Sequence, residues 1–233
     1  MKRKQAFTLI EVLLGISIFS VVILCVYDSL RAGILLSQRS ETNNTMARQV
    51  RLALNLITDE ISGIVAYDFQ NSYPDLQAFT GEKDKVTFLK PTGKGLFFVS
   101  YYLQRPQDGH IFETIMGKTS QKNMNVIASM TQTSTAKCLV REEQSFIDYV
   151  SGHSQAAAEI EVIATDIKED GLRFSYGYFD ADKSLTPTWK SIWTPKEIPS
   201  NVRIEIDFLA AQKDAAPLTV SKDILIPHGS RKK

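Results

Sequence analysis

The stretch Lys4-Gln5-Ala6-Phe7-Thr8-Leu9-Ile10-Glu11-Val12-Leu13-Leu14 decides how the rest of the chain is read. Three cations, Lys2, Arg3 and Lys4, stand before an apolar run, and between residues 7 and 27 the only ionisable carboxylate is Glu11. Nearly every other position there is aliphatic, aromatic or small. As a helix this run extends roughly 31 Å at about 1.5 Å per residue, enough to cross a hydrocarbon core of about 30 Å.

A carboxylate inside such a segment is the informative anomaly. At bilayer depth it costs about 2.5–3.5 kcal/mol on insertion scales, so it predicts a compensating partner. A cut between Ala6 and Phe7 creates an amino group four residues before Glu11, and that spacing puts amine and acid on one helix face. The two can pair within one chain or between chains packed side by side. Two plainer readings account for less. A secretory signal carries its small-residue cleavage site after the apolar run, where Cys25-Val26-Tyr27-Asp28 offers no A-x-A pattern. A simple anchor explains the length and the basic flank through the positive-inside rule, but leaves Glu11 without a reason.

Leader charge, small residue, Phe-Thr-Leu-Ile-Glu and a long apolar run in register resemble the processing signal of type IV pilins and of the pseudopilins of type II secretion. The resemblance implies a leader of residues 1–6, cleavage between Ala6 and Phe7 by a prepilin peptidase, methylation of the new N-terminus at Phe7, and an assembly role for Glu11. The residue before the cut is usually Gly in that family and is Ala6 here, the nearest substitute in size.

The remainder suits one domain of ordinary size behind an anchor. With 233 residues and 43% apolar content, the chain buries a sizeable core without disulfides. Cys25 lies in the apolar segment and Cys138 far along the chain, so no bridge between them is expected. The balance of 27 basic and 26 acidic residues, a net charge of +1, supplies no global field for nucleic acid, and no nucleic-acid partner is expected.

The helical pattern continues past Tyr27, which separates this start from a simple anchor. Asp28, Arg31, Gln38, Arg39 and Glu41 make it water-compatible, and Leu30, Ile34 and Leu35 keep an apolar stripe. Asn43-Asn44-Thr45 is weak in helix propensity and is expected to kink or fray; its glycosylation sequon is a coincidence of composition. Met46, Val50, Leu54, Ile57, Ile61 and Ile64 then recur at intervals of three and four, with Arg48, Arg51, Asn55 and Asp59 opposite. One helix from about residue 8 to about residue 65 is predicted, its residues 7–27 in lipid and residues 28–66 amphipathic.

Residues 67–233 read as β-rich, giving an α+β, pilin-like fold: a long N-terminal helix, transmembrane in its first half, packed on an antiparallel β-rich domain. Residues 85–89 and 96–103 predict a hairpin joined by Lys90-Pro91-Thr92-Gly93-Lys94-Gly95. Residues 104–135 are polar and aperiodic, a long loop or small insertion. Residues 138–141 and 146–150 read as strands, and residues 160–167 as a strand or short helix. Residues 171–180 alternate as a half-buried strand and break at Asp180-Ala181-Asp182-Lys183-Ser184. Trp189 and Trp193 sit four apart, and Ile198-Pro199 leads into Val202-Arg203-Ile204-Glu205-Ile206-Asp207-Phe208, whose inward face is Val202, Ile204, Ile206 and Phe208. Residues 218–226 return as its partner strand.

An aromatic strand with Phe174, Tyr176 and Tyr178, then the two tryptophans, then Ile198-Pro199 feeding an alternating strand, resembles the C-terminal half of the minor pseudopilin called J. That resemblance implies a structural subunit at the tip of a type II secretion pseudopilus. It also implies an inner-membrane anchor with the domain in the periplasm, and as partners the minor pseudopilins I, K and H with the major pseudopilin. The alternative is a minor pilin of a type IV pilus or a DNA-uptake pseudopilus.

No P-loop, dinucleotide fingerprint, zinc spacing or nucleophile elbow occurs in the sequence, so neither an enzyme nor a cofactor is expected. His110, His153 and His228 are isolated. Asp180-Ala181-Asp182 begins like a calcium loop but lacks the Gly and distal Glu of an EF-hand, leaving an irregular calcium site near Asp180 and Asp182 as the one metal reading. Lys232 and Lys233 read as a solvated terminus.

Overall fold

An uninterrupted apolar run followed by a three-and-four stripe, with no proline before Pro74, lets one helix persist. α1 spans Leu9–Ser62. The computed structural model describes residues 9–67, 69, 73–74, 76–106, 136–151, 158–179, 186–194, 197–209 and 218–227, with only the backbone described at 36 and 38–47. The helix assignment is unbroken through Asn43-Asn44-Thr45. It stops at Gly63 rather than Val65. The Gly63 N–H still donates to the Asp59 carbonyl at 3.2 Å, but that of Ile64 turns back to Ile61 at 3.3 Å, closing a tighter last turn. The chain forms two compact units, Met1–Ala47 and Arg48–Lys233.

In the second unit the stripe on α1 is buried as its spacing predicts. Val50, Leu54, Ile57, Ile61 and Ile64 are buried and joined by Ala53, while Arg48, Arg51, Asn55 and Asp59 are exposed; the Met46 side chain lies outside the described residues. The strands are β1 (Phe79–Gly81), β2 (Val86–Thr92), β3 (Gly95–Gln104), β4 (Lys137–Ser145), β5 (Glu159–Tyr178), β6 (Thr188–Lys190), β7 (Asn201–Phe208) and β8 (Leu218–Leu225). They form one antiparallel sheet in the order β1-β2-β3-β4-β5-β7-β8, with β6 paired to β5. β7 is the clearest case of pattern becoming structure. Val202, Ile204, Ile206 and Phe208 are buried in strict alternation, and β8 pairs along its whole length from Asn201↔Leu225 to Phe208↔Leu218.

Several elements depart from the expectation. The β2–β3 turn is only Gly93-Lys94, because the strands continue pairing through Lys90↔Phe97, Pro91↔Leu96 and Thr92↔Gly95. The Thr92 hydroxyl closes the turn, donating to the Gly95 carbonyl at 3.0 Å and accepting from the Lys94 N–H at 3.2 Å. Residues 146–150 are a helical turn, α2 (Phe146–Val150), not a strand. Helical spacing lets Phe146 stack on Phe69 at 5.4 Å while Tyr149 reaches Phe98 at 4.2 Å, contacts between distant segments that override local β-propensity. Residues 160–167 and 171–178 belong to one strand, β5, whose first part pairs with β4 and whose second part pairs with β7.

A register shift between Ile167 and Leu172 bends β5. Gly171 sits inside that shift, where a Cβ would lie 2.6 Å from the Asp207 carbonyl oxygen and 2.9 Å from that of Lys168. β4 does not alternate because both its faces are covered. Leu139 and Arg141 share the face of Tyr101, whereas Cys138 and Val140 pack with Tyr102, Ile160 and Val162 on the other. Burial, and the charge of Asp166, push the Cys138 thiol up to about 11, so it stays protonated. Both cysteines are free.

One carboxylate joins α1 to the sheet. Glu60 lies on the buried stripe and is itself buried. Lys90 of β2 donates to its Oε1 at 2.7 Å, Tyr101 of β3 donates to its Oε2 at 2.5 Å, and Arg141 of β4 reaches both oxygens through Nε and Nη2 at 2.9–3.2 Å. Arg141 Nη2 also pairs with Glu143. Burial opposes ionisation of Glu60, but the hydrogen bonds from Arg141, Lys90 and Tyr101 outweigh it and hold the carboxyl below its ordinary value of 4.5. The outer sheet face adds two more lowered carboxyls: Asp207, through hydrogen bonds from Arg173 and Thr219, and Asp223, through Arg203.

A carboxyl whose folded pKa is depressed stabilises the fold fully above its unfolded pKa and loses that contribution as pH falls through the folded value. Urea unfolding midpoints are therefore expected to show no contribution from Glu60 to pH dependence between pH 7 and 5, then an acid limb below about 4.5, the ordinary value of Glu60. Glu60→Gln should flatten that limb. An identical acid limb in the variant would contradict the assignment.

Candidate functional site

The Met1–Ala47 unit presents the feature that the sequence singles out. Leu9–Leu35 is a helical span of 27 residues, apolar enough to cross a membrane, and no part of it is buried within the protein. Leu9, Ile10, Leu13, Leu14 and Phe19 are all more than half exposed. At about 1.5 Å per residue the span is roughly 40 Å long, more than a hydrocarbon core requires. A contiguous exposed apolar surface of this size calls for lipid or another protein around it.

The polar groups within the span are arranged for such surroundings. The Ser17 hydroxyl donates to the Leu13 carbonyl at 2.6 Å and that of Ser20 to the Ile16 carbonyl at 2.8 Å, so neither needs an outside acceptor. Glu11 is the acidic residue in the first described turn of α1. Ala6 and Phe7, the cleavage pair expected from the sequence, and the cations Lys2, Arg3 and Lys4 lie outside the described residues. So do Asp180 and Asp182, the three histidines, residues 107–135, Lys232 and Lys233.

The exposed apolar span and the single carboxylate near its described start make a segment suited to insertion and to lateral packing of helices. Residues 1–27 match the Prokaryotic N-terminal methylation motif. No curated protein and no solved structure matches the chain. The motif covers the basic leader, Ala6, Phe7 and Glu11 and runs to Tyr27, so the chain starts as prepilin-like proteins do. Motif and apolar helix together are consistent with a single-pass membrane anchor.

The tryptophans carry two different tasks. Trp193 is buried, exchanges both backbone hydrogen bonds with Gly81 at 2.7 and 3.1 Å, and donates from Nε1 to the Glu197 carbonyl at 2.6 Å. Trp189, on β6, lies half-buried under the Arg203 guanidinium at 4.4 Å. Glu60 and Arg141 are absent from the residues that the sequence reading selects. The signal for Glu60 is present nonetheless: it stands three residues after Ile57 and four before Ile64, a carboxylate on an apolar stripe, the same kind of anomaly as Glu11.

Proposed function

We propose that this protein is a non-enzymatic minor pseudopilin of a type II secretion system, cut after Ala6, methylated at Phe7 and assembled through α1 at the pseudopilus tip. The observation that carries the reading is the methylation motif over residues 1–27. The chain resides in the inner membrane with residues 67–233 in the periplasm, and its partners are the I, K and H type minor pseudopilins and the major pseudopilin. The aromatic β5, the β6 segment with Trp189 and the Pro-led β7 support the comparison with pseudopilin J. A non-enzymatic role is supported by the buried charged groups among the described residues: Glu60 and Arg141 are consumed by each other and their neighbours.

In this reading Glu11 sets helix registration. A carboxylate that needs an amine in lipid penalises every packing register except those that deliver one, so the charge supplies specificity more than net stability. Glu11→Val should leave the chain inserted in the membrane while its co-purification with partner pseudopilins falls at least tenfold, since about 1.4 kcal/mol already corresponds to tenfold. Unchanged recruitment would contradict the role. Full-length protein co-expressed with each set of companions separates the systems: capture by I and K type pseudopilins supports secretion, whereas capture only by pilus minor pilins assigns the protein to a pilus or DNA-uptake apparatus.

A further inference from the structure

Glu60 is placed where a helix alone would not want it. It sits in the last turn of α1 beside Asp59, with no basic residue in that turn, so two carboxylates face the negative end of the helix dipole. The position also interrupts a stripe that is otherwise aliphatic. Such a placement is costly to the helix and to the core, and its compensation comes from the sheet.

The compensation is specific to geometry. Three adjacent strands each bring one donor to the same carboxylate: Lys90 from β2, Tyr101 from β3 and Arg141 from β4, all within 3.2 Å. Tyr101 and Arg141 are register partners across β3 and β4, so they point to the same sheet face side by side. Glu143, the next residue on that face of β4, accepts a second bond from Arg141 Nη2. Among the described residues, Arg141, Lys90 and Tyr101 are the groups that set the charge state of Glu60, with Glu143 paired to Arg141.

The apolar stripe selects far less sharply. Val50, Leu54, Ile57 and Ile61 repeat one kind of aliphatic knob at helical intervals, so a slide of one turn, about 5.4 Å, still presents an aliphatic surface to the sheet, with Ala53 the one small residue in it. The same slide carries the Glu60 carboxylate beyond reach of all three donors, leaving it buried without its partners and Arg141 with Glu143 alone.

We propose that the Glu60–Lys90–Tyr101–Arg141 cluster is an orientation lock, which selects one axial register and one rotational setting of residues 48–62 on the sheet from those the apolar stripe would accept. The lock is a selector, so replacing it with apolar groups leaves a folded domain whose helix setting is no longer unique.

The test reads position rather than stability. In the full chain in detergent, with Cys25→Ser and Cys138→Ala to clear native thiols, spin labels at exposed Arg51 and Lys94 report the helix-to-hairpin distance. The parent chain and an Ile57→Val control, which trims the stripe and spares the lock, should each give one narrow distance peak. Glu60→Leu/Arg141→Leu should keep its circular dichroism and cooperative melt yet show a broadened distribution or a second peak displaced by roughly 5 Å, one helical turn. Glu60→Gln, which leaves Arg141 paired with Glu143, is the second variant and should broaden in the same direction if the double variant fails to fold. A single unshifted peak in either folded variant overturns the proposal. Loss of the fold in both overturns it too, since that assigns the cluster to stability and not to selection.

Discussion

Arg141→Ala is expected to lower the unfolding free energy of the Arg48–Lys233 unit by about 3–5 kcal/mol, among the largest effects of any single change in it. The reason is what remains behind. Glu60 has a side chain only 4% exposed, and in the variant it keeps Lys90 and Tyr101 but loses the donor that spans both its oxygens. A buried carboxylate stripped of its main counter-charge either stays ionised at a high desolvation cost or takes up a proton and loses the remaining charge-assisted bonds. Replacing both partners with apolar groups is a different experiment: it removes the pair's desolvation cost along with its attraction but leaves the buried Tyr101 hydroxyl without its acceptor, so a loss smaller than that of Arg141→Ala is expected there. Urea unfolding of both variants at pH 7 checks the pair. A loss below about 1 kcal/mol for Arg141→Ala would place the pair with ordinary surface ion pairs and contradict its burial.

Gly81→Ala carries the second large effect, of about 1–3 kcal/mol, through overpacking. A Cβ at residue 81 would fall 2.3 Å from Cζ of the Tyr176 ring and 2.6 Å from both its Cε atoms. That ring cannot retreat easily. It is fully buried, lies edge-on to Phe79 at 5.7 Å, and its hydroxyl donates to the Glu82 carbonyl at 2.7 Å. Gly81 is also held from the other side by its paired backbone bonds to Trp193. Thermal melts of Gly81→Ala and of Gly93→Ala, where the added methyl meets nothing within 4 Å, separate the steric cost from the conformational one. Equal losses at the two positions would contradict the packing argument.

How much of this was legible in the sequence depends on whether one segment carries the cause. α1 and β7 were legible because a single buried face writes its own period, three-and-four in Val50, Leu54, Ile57 and Ile61, two in Val202, Ile204, Ile206 and Phe208. α2 was not, since Phe146 and Tyr149 are held by Phe69 and Phe98, rings that no local window contains. The length of β5 was hidden by its bulge: residues 168–171 break the alternation, so one strand reads as two elements. β4 read poorly for the opposite reason, both faces being covered at Cys138, Leu139, Val140 and Arg141.

The candidate site shows the same division. Leader charge, Ala6-Phe7 and Glu11 lie within one short stretch, so the pairing of an amine at Phe7 with Glu11 follows from spacing and the processing from resemblance, and the methylation motif falls on that stretch. Glu60 needs Lys90, Tyr101 and Arg141, which are 30, 41 and 81 residues away, so its meaning exists only once the sheet is assembled.

The processing of the N-terminus tests the account most directly. Intact-mass and N-terminal peptide analysis of protein made alongside its own prepilin peptidase should find a chain that begins at Phe7 and carries one added methyl group on its amine. A chain that still begins at Met1, with Ala6 and Phe7 joined, would contradict it.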